Sequence, residues 1–359
     1  VTSDCKPFPP GGELRVCEAC GMVSKPVTNA FLSDIGAIYS AYDVYYQGGG
    51  VEQIVFDSAS GGQMRRSELI CRRLSETGRL LGPRRAIDLG CGNGGFLRAL
   101  SNAFERWELF GLELDGRSRE LMRAIPGFVD LIEGDVETLS GTFDFISMIH
   151  ALEHFTDPRA TLERLRRHLT PGGMIFIEIP NVQENPFDLL IADHVSHFTP
   201  YTLEAMLLKA GFAPVVFATD WVKKEMSVLA VAVEAPPAAR FAPPPASLVD
   251  DHIAWLAETL RRARDAAAEG ESFGMFGTSI ASTWLSGGLG DKVRFYVDED
   301  PSRQGREFFG KPIIAPRQIP DGSTVFVALA PAIASVVGDR VAQASPGTRL
   351  VMTPGFAGA

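Results

Sequence analysis

The chain has 359 residues, 45% hydrophobic and 22% charged, with a formal net charge of −10. That length predicts two or three domains, and the acidic balance without a dense Lys/Arg run argues against nucleic acid as a partner. No stretch approaches 18 uninterrupted apolar residues, no basic-then-apolar leader opens the sequence, and the five cysteines lack a disulfide rhythm, so a cytoplasmic protein without a membrane partner is expected.

Cys5, Cys17 and Cys20 fall within the first thirty residues. In "CEACG" two thiols two residues apart are half of a zinc site. A tetrahedral structural zinc needs four ligands; Cys5 is the candidate third, and no fourth is evident. Residues 1–30 are therefore expected as a zinc-binding-like module. The aromatic stretch "YSAYDVYYQGGGVEQIVFD" and a helical run, "GQMRRSELICRRLSETGRLL", make residues 31–80 a helical lid or linker.

From Ala86 short β-rich runs alternate with helical segments: "AIDLG", "ELFGLEL", "DLIEGD", "FDFISMI" and "MIFIEIP". This rhythm predicts a largely parallel, doubly wound α/β sheet over residues 81–235. "APVVFATD" and "MSVLAVAVE" close it as an antiparallel hairpin. The proline-rich "APPAARFAPPPA" reads as a linker or stiff crossover. With the amphipathic helix "DDHIAWLAETLRRARDAAAE" it accounts for residues 236–270. His252 in that helix and His168 in "RLRRHL" are expected on solvated faces. "FGMFG", "VRFYVDED", "STVFVALA" and "TRLVMTPG" then predict a C-terminal Rossmann-like α/β domain over 271–359.

"AIDLGCGNGGFLRAL" carries the first chemistry. A strand ends at Leu89, glycines turn the chain, and a helix begins near Gly94. Gly90 and Gly92 let a ligand lie against backbone, and Asp88 sits where an α/β crevice binds ligands. No Gly-Lys-Ser/Thr closes the loop, so it is not a Walker loop. The loop alone does not exclude a nicotinamide cofactor. Glu113, at the tip of the second strand, suits two ribose hydroxyls. Asp135 follows the third strand, "MIHALEHFTDP" the fourth, and "LTPGGMIFIEIP" the next helix.

Together these motifs resemble the class I S-adenosylmethionine-dependent methyltransferases over roughly residues 80–235. The resemblance implies a seven-stranded sheet and S-adenosylmethionine as cofactor. It places Asp88, Gly90 and Gly92 at the methionine part, Glu113 at the ribose and Asp135 at the adenine, with Cys91, Asn93, Leu114 and Val136 as further cofactor-binding candidates. His150 and Ala151 fall near the sulfonium. The cysteine-bearing N-terminus and the C-terminal unit with "VDEDPSRQGREFFGKPIIAP" extend it: nearly the whole chain resembles the C-methyltransferases of nucleotide-linked keto-deoxysugars. That family implies that both flanks enclose a nucleotide-linked sugar, with structural zinc at the N-terminus. Tyr45 and Tyr46 become candidate lid residues, and His154 and Asn181 candidate substrate contacts.

In that family an acidic residue followed by histidine comes after the fifth strand, and here the pair is Asp193-His194 in "FDLLIADHVSHF". A sugar carbon beside a ketone becomes nucleophilic only when a proton leaves, and an imidazole titrates in the right range to take it. The resemblance implies His194 as base with Asp193 as its support; His197 is the second candidate and His154 in "LEHF" the third. Ile191 stands where a tyrosine is usual, Lys223-Lys224 where glycines are, and "FGTSIASTW" lacks the usual lysine. These departures leave the acceptor open. O- or N-methylation of a glycan precursor or small metabolite, a cofactor-binding scaffold, and a nicotinamide-dependent sugar oxidoreductase are the competing readings.

Overall fold

The computed structural model describes residues 1–42, 50, 52, 54–56, 62–270 and 272–356. Strands β1 (Arg85–Leu89), β2 (Glu108–Glu113), β3 (Phe128–Glu133), β4 (Phe143–Ile149), β5 (Leu169–Pro180), β6 (Phe212–Ala218) and β7 (Glu225–Ala232) make one seven-stranded sheet. Its order is β6-β7-β5-β4-β1-β2-β3. The pairs β6–β7 and β7–β5 are antiparallel and the rest are parallel, as the alternating pattern and the final hairpin predict.

Both faces of this sheet are buried, which explains why its strands read as apolar runs rather than alternating ones. Ile87, Ile146 and Ile177 face one way, onto Leu162 of α5 (Pro158–Arg166) and Leu207 of α6 (Pro200–Lys209). Ala86, Phe145 and Phe176 face the other, onto Leu69 of α2 (Arg66–Glu76), Leu97 of α3 (Gly95–Ala103) and Met122 of α4 (Arg119–Met122), while α1 (Asn29–Ser40) precedes them in the chain. The period of two along each strand sorts neighbours into the two cores. Each buried Leu, Ile or Phe contributes roughly 1.5–3 kcal/mol. Helix starts are set locally: the Asp157 carboxylate accepts from Ala160 N–H at 2.9 Å with Pro158 in the first turn, and Thr199 and Thr202 cap α6 reciprocally.

The helical run expected from residue 62 begins later. Gln63–Arg65 pairs with Ile54–Phe56 as a short antiparallel ribbon, and α2 starts only at Arg66. β5 begins at Leu169, five residues before "MIFIEIP", with a register shift against β4 between Phe143 and Phe145.

C-terminal strands β8 (Phe273–Phe276), β9 (Phe295–Val297), β10 (Glu307–Phe308), β11 (Lys311–Ile314), β12 (Thr324–Val327) and β13 (Arg349–Met352) form a second sheet, ordered β10-β11-β9-β8-β12-β13. Helix α7 (Leu248–Glu269) packs on it through Trp255 and Ala263. His252, expected on a solvated face, is 3% exposed and lies 5.8 Å from the ring of Phe356. The chain beyond β13 covers that side of α7, which the helical pattern alone does not reveal. The proline-rich segment is pinned: buried Glu204 of α6 accepts from the N–H groups of Arg240 and Phe241 and from Arg240 Nε.

The N-terminal residues do not stand as a separate unit. Arg15–Val16 and Val23–Ser24 pair with each other, and the second also pairs with Ser196–His197. Lys25 Nζ donates to the carbonyls of Ile191, Ala192 (3.2 Å) and His194 (2.9 Å). The N-terminus therefore clamps the histidine-bearing loop singled out by the sequence.

Candidate active site

At the end of β1 the chain delivers Asp88 and turns. Gly90 (φ +69°) and Gly92 (φ +57°) adopt left-handed backbone, which a residue with a Cβ rarely takes. A Cβ on Gly90 would also lie 3.3 Å from Ala151, so the loop and the end of β4 meet closely. Asp88 is buried and accepts from Ser147 Oγ at 2.7 Å; burial pushes its carboxyl up to about 7. Glu113 ends β2 and accepts from Gly92 N–H at 3.2 Å, burial raising its carboxyl against that amide's pull. Leu114 stands exposed beside it. Asp135 caps a short turn by accepting from Glu137 N–H at 2.9 Å, over buried Val136. Asn93 Nδ2 donates to Gly50 O at 2.8 Å. The Cys91 thiol is buried toward β2, where a Cβ on Gly111 would sit 2.6 Å from it.

These groups occupy the C-terminal ends of β3, β2, β1 and β4, where a doubly wound sheet opens its crevice. Left-handed glycines with no Cβ and a carboxylate at the neighbouring strand tip fit an adenosyl group carrying an amino-acid tail.

A second polar group begins at the end of β4. His150 (φ +51°) has Nδ1 3.3 Å from Glu153 and Nε2 3.1 Å from Glu225. Burial opposes its charge, but the Glu225 carboxylate prevails and the imidazole is raised to about 9. Glu178, on β5, is buried with neither oxygen meeting a hydrogen-bond partner among the described residues; burial and the nearby Glu225 charge push it up to about 8.

Next to this group stand three histidines. Asp188, 1% exposed, receives Nδ1 of His194 at 2.9 Å and Nδ1 of His197 at 2.6 Å, one ring on each oxygen. Burial would raise this carboxyl, but the two imidazoles hold it far below the usual range. Burial works against the charged form of His194, and Asp188 overcomes it, raising the ring above its ordinary value. His197 is lowered by burial. His154 Nδ1 lies 3.0 Å from Asp193 O, and its ring meets that of His194 edge-on at 4.7 Å. Burial and the His194 charge lower His154. Tyr39 approaches His154 edge-on at 6.1 Å.

The structure thus brings His194, His197 and His154 together, and the carboxylate bonded to His194 is that of Asp188 rather than Asp193. Asp193 accepts from Ser3 N–H at 2.8 Å and from Ser3 Oγ, and faces His154 at 3.5 Å. Neighbouring side chains along this loop diverge, and Asp188, six residues earlier, folds back onto His194 instead. Asn181 is engaged by its own turn, accepting from Gln183 N–H at 3.1 Å and donating to Glu184 at 3.2 Å. Tyr45 and Tyr46 lie outside the described residues. Cys17 and Cys20 share a tight knuckle, and the amides of Ala19 and Cys20 lower the Cys17 thiol. Cys5 does not join them: among the described residues no group of three metal-capable side chains includes a cysteine. The expected ligand set of Cys5, Cys17 and Cys20 is therefore not brought together among the described residues.

Asp188, Glu153, Glu178 and Glu225 escaped the sequence reading. Glu153 adjoins His154 in "LEHF", and Glu178 interrupts the apolar run "MIFIEIP", so both left a signal. The partnership of Asp188 left none beyond its place in the same polar stretch.

Residues 63–216 match a family model described as a methyltransferase domain. A trans-aconitate 2-methyltransferase of Deinococcus radiodurans is 33% identical over 116 residues, covering 31% of this chain and 40% of that protein. A ubiquinone biosynthesis O-methyltransferase of Pectobacterium atrosepticum is 24% identical over 106 residues, covering 27% and 43%. The chain spans less than half the length of these curated relatives. Among solved structures, a Burkholderia thailandensis 1,6-didemethyltoxoflavin-N1-methyltransferase, with 1,6-didemethyltoxoflavin and S-adenosylhomocysteine bound, is 18% identical with a TM-score of 0.42. The alignment covers 62% of this chain and 100% of that one. No helix among the described residues is long and apolar enough to cross a membrane. The glycine turn, the acidic strand tip and the domain match agree: the chain carries a class I S-adenosylmethionine-dependent methyltransferase domain.

Proposed function

We propose that this chain transfers a methyl group from S-adenosylmethionine to a carbon beside a ketone on a nucleotide-linked sugar, with His194 as the base. The observation that carries this reading is the buried Asp188–His194 pair, which fixes Nδ1 of the ring and leaves Nε2 to receive a proton.

Asp88, Gly90 and Gly92 would hold the methionine part of the cofactor, Glu113 the ribose hydroxyls, and Asp135 and Leu114 the adenine side. The cofactor supplies an electrophilic methyl on a sulfonium. His194 removes the proton beside the ketone at Nε2, and Asp188 keeps the Nδ1–H tautomer and balances the imidazolium that forms. His154, edge-on to His194, and Tyr39 exclude water from that side. Positioning of acceptor carbon against donor supplies much of the rate. The C-terminal domain is assigned to the nucleotide part of the acceptor.

O-methylation of a small molecule is the second reading, favoured by the O-methyltransferase among the relatives. The same base would then deprotonate a hydroxyl. One experiment separates the two. The chain is incubated with S-adenosylhomocysteine and a panel of nucleotide-linked keto-sugars in deuterated water, and exchange beside the ketone is followed by mass spectrometry. Exchange that disappears in His194→Asn, with a C-methylated product when S-adenosylmethionine replaces the homocysteine, supports the carbon acceptor. Cofactor binding with no exchange and an O-methylated product moves the assignment to oxygen.

A further inference from the structure

Glu153, His154 and His194 arrive from two segments at the C-terminal edge of the central sheet. One ligand atom from each lies within 4.8 Å of the others. Glu153 is 1% exposed, and neither carboxylate oxygen has a hydrogen-bond partner among the described residues. His150 Nδ1 stands 3.3 Å from Oε1, which leaves Oε2 open. His150 thus answers Oε1, while the lone pairs of Oε2 stay unused, which is costly in a buried carboxylate and suits a further electropositive partner.

Both imidazoles are already held as metal ligands are held. Nδ1 of His154 rests on a backbone carbonyl at 3.0 Å and Nδ1 of His194 on a carboxylate at 2.9 Å. In the neutral Nδ1–H form each ring presents a lone pair at Nε2. Two imidazole nitrogens and one carboxylate oxygen are a donor set that holds zinc with a fourth position open. Zinc bonds of about 2.0–2.1 Å place tetrahedral donors roughly 3.4 Å apart. Small rotations close the gap, and His154, with its side chain 17% exposed, has room to make them. The neighbouring group of Asp188, His194 and His197 does not compete. Its Nδ1 atoms already bond the carboxylate, and Lys25 places an ammonium on the same loop.

We infer that Glu153, His154 and His194 bind one zinc-class divalent cation. The cation takes Nε2 of His194 and thereby withholds the base from the acceptor. That consequence rests on the proposed role of His194; the binding itself does not.

The test uses the full chain carrying Cys17→Ser and Cys20→Ser, so that thiols do not bind the probe. It is stripped with a chelator and titrated with Co²⁺, read by visible absorption, and with Zn²⁺, read by calorimetry. The expected result is one ion per chain, with d–d bands and no sulfur-to-cobalt charge-transfer band. Glu153→Gln and His154→Asn, each checked for an unchanged melting profile and retained S-adenosylhomocysteine binding, are expected to weaken affinity at least tenfold. No cobalt uptake, or the same affinity in both variants, overturns the site. Zinc-loaded chain is expected to turn over at least tenfold more slowly than stripped chain, with recovery on chelation. Stoichiometric zinc with undiminished turnover would leave the site standing and overturn both the withholding and the base assignment.

Discussion

Asp188 is the residue on which the base assignment is most exposed to experiment. Its two oxygens serve two buried rings, so Asp188→Ala leaves two Nδ1–H groups without acceptors. Each such orphan costs roughly 1–3 kcal/mol, together about 2–6 kcal/mol, a large share of a typical domain's stability. Asp188→Asn is the sharper probe because it keeps the volume. Its amide offers one acceptor and one donor, so one ring must change to the Nε2–H tautomer. In His197, Nε2 is buried with no partner among the described residues, and a proton there would bury an unpaired donor. His194 is therefore the ring that switches. Its Nε2 then carries a proton and no longer acts as a base, a fault that costs about 10⁴ in kcat where an imidazole base is turned to the wrong tautomer. The expected outcome is a fall of two to four powers of ten in turnover, unchanged affinity for S-adenosylhomocysteine, and an Nε2–H signature for His194 in ¹⁵N NMR. Turnover within threefold of wild type in a folded Asp188→Asn chain would refute the reasoning.

Glu113→Ala removes an acceptor at the tip of β2 and is expected to weaken cofactor binding by about 1–3 kcal/mol without altering the melting temperature of the free protein; calorimetry decides. Asp88 supplies a pH test. Its carboxyl rises from 3.8 unfolded to about 7 folded, so between those values the unfolded chain releases a proton that the folded chain keeps. Stability from this group is intact below 3.8, falls through the window and has dropped by about 4 kcal/mol above it. Asp88→Asn removes the dependence, so its denaturant midpoint should gain on wild type from pH 4 to 7; a constant difference would show that Asp88 does not keep its proton. Phe187→Ala opens a cavity beside Trp255 and is expected to cost about 3–5 kcal/mol, seen as an earlier thermal transition.

The legible part of this chain is the part written locally. Strand, glycine turn and helix at residues 85–103 follow one another, and Glu113 lies one β–α–β step on, so pattern and spacing suffice to place them. The hairpin β6–β7 was equally open to reading because its strands are close in sequence. What was hidden depends on contacts between distant residues. Asp193 looked like the partner of His194 because it is adjacent, yet its carboxylate is taken by Ser3, 190 residues away. His252 looked solvated because the segment that covers it lies beyond β13. The two N-terminal strands completed their sheet with Ser196–His197, which no cysteine spacing suggests.

The position of Phe187 next to Asp188 joins these observations into one argument. Phe187 is 3% exposed and packs edge-on against Trp255 of α7 at 5.1 Å and Trp284 at 6.3 Å, both in the C-terminal region. The adjacent Asp188 holds His194, the proposed base. Lys25 fixes the carbonyls of Ile191, Ala192 and His194 from the N-terminal side. The short loop that carries His194 is thus gripped at one end by the C-terminal domain and at the other by the N-terminal strands, neither of which supplies the cofactor crevice. Such a loop keeps an imidazole in one orientation at the edge of a sheet where an unsupported loop would let it wander, and a misplacement of an ångström at the reacting atoms is enough to cost about 10² in rate. With His194 as the proposed base, the flanking regions would support the chemistry whichever acceptor atom is methylated. Phe187→Ala should accordingly lower kcat as well as stability when both are measured well below its melting transition. A chain that is destabilised but fully active at low temperature would show that the grip at Phe187 serves the fold alone.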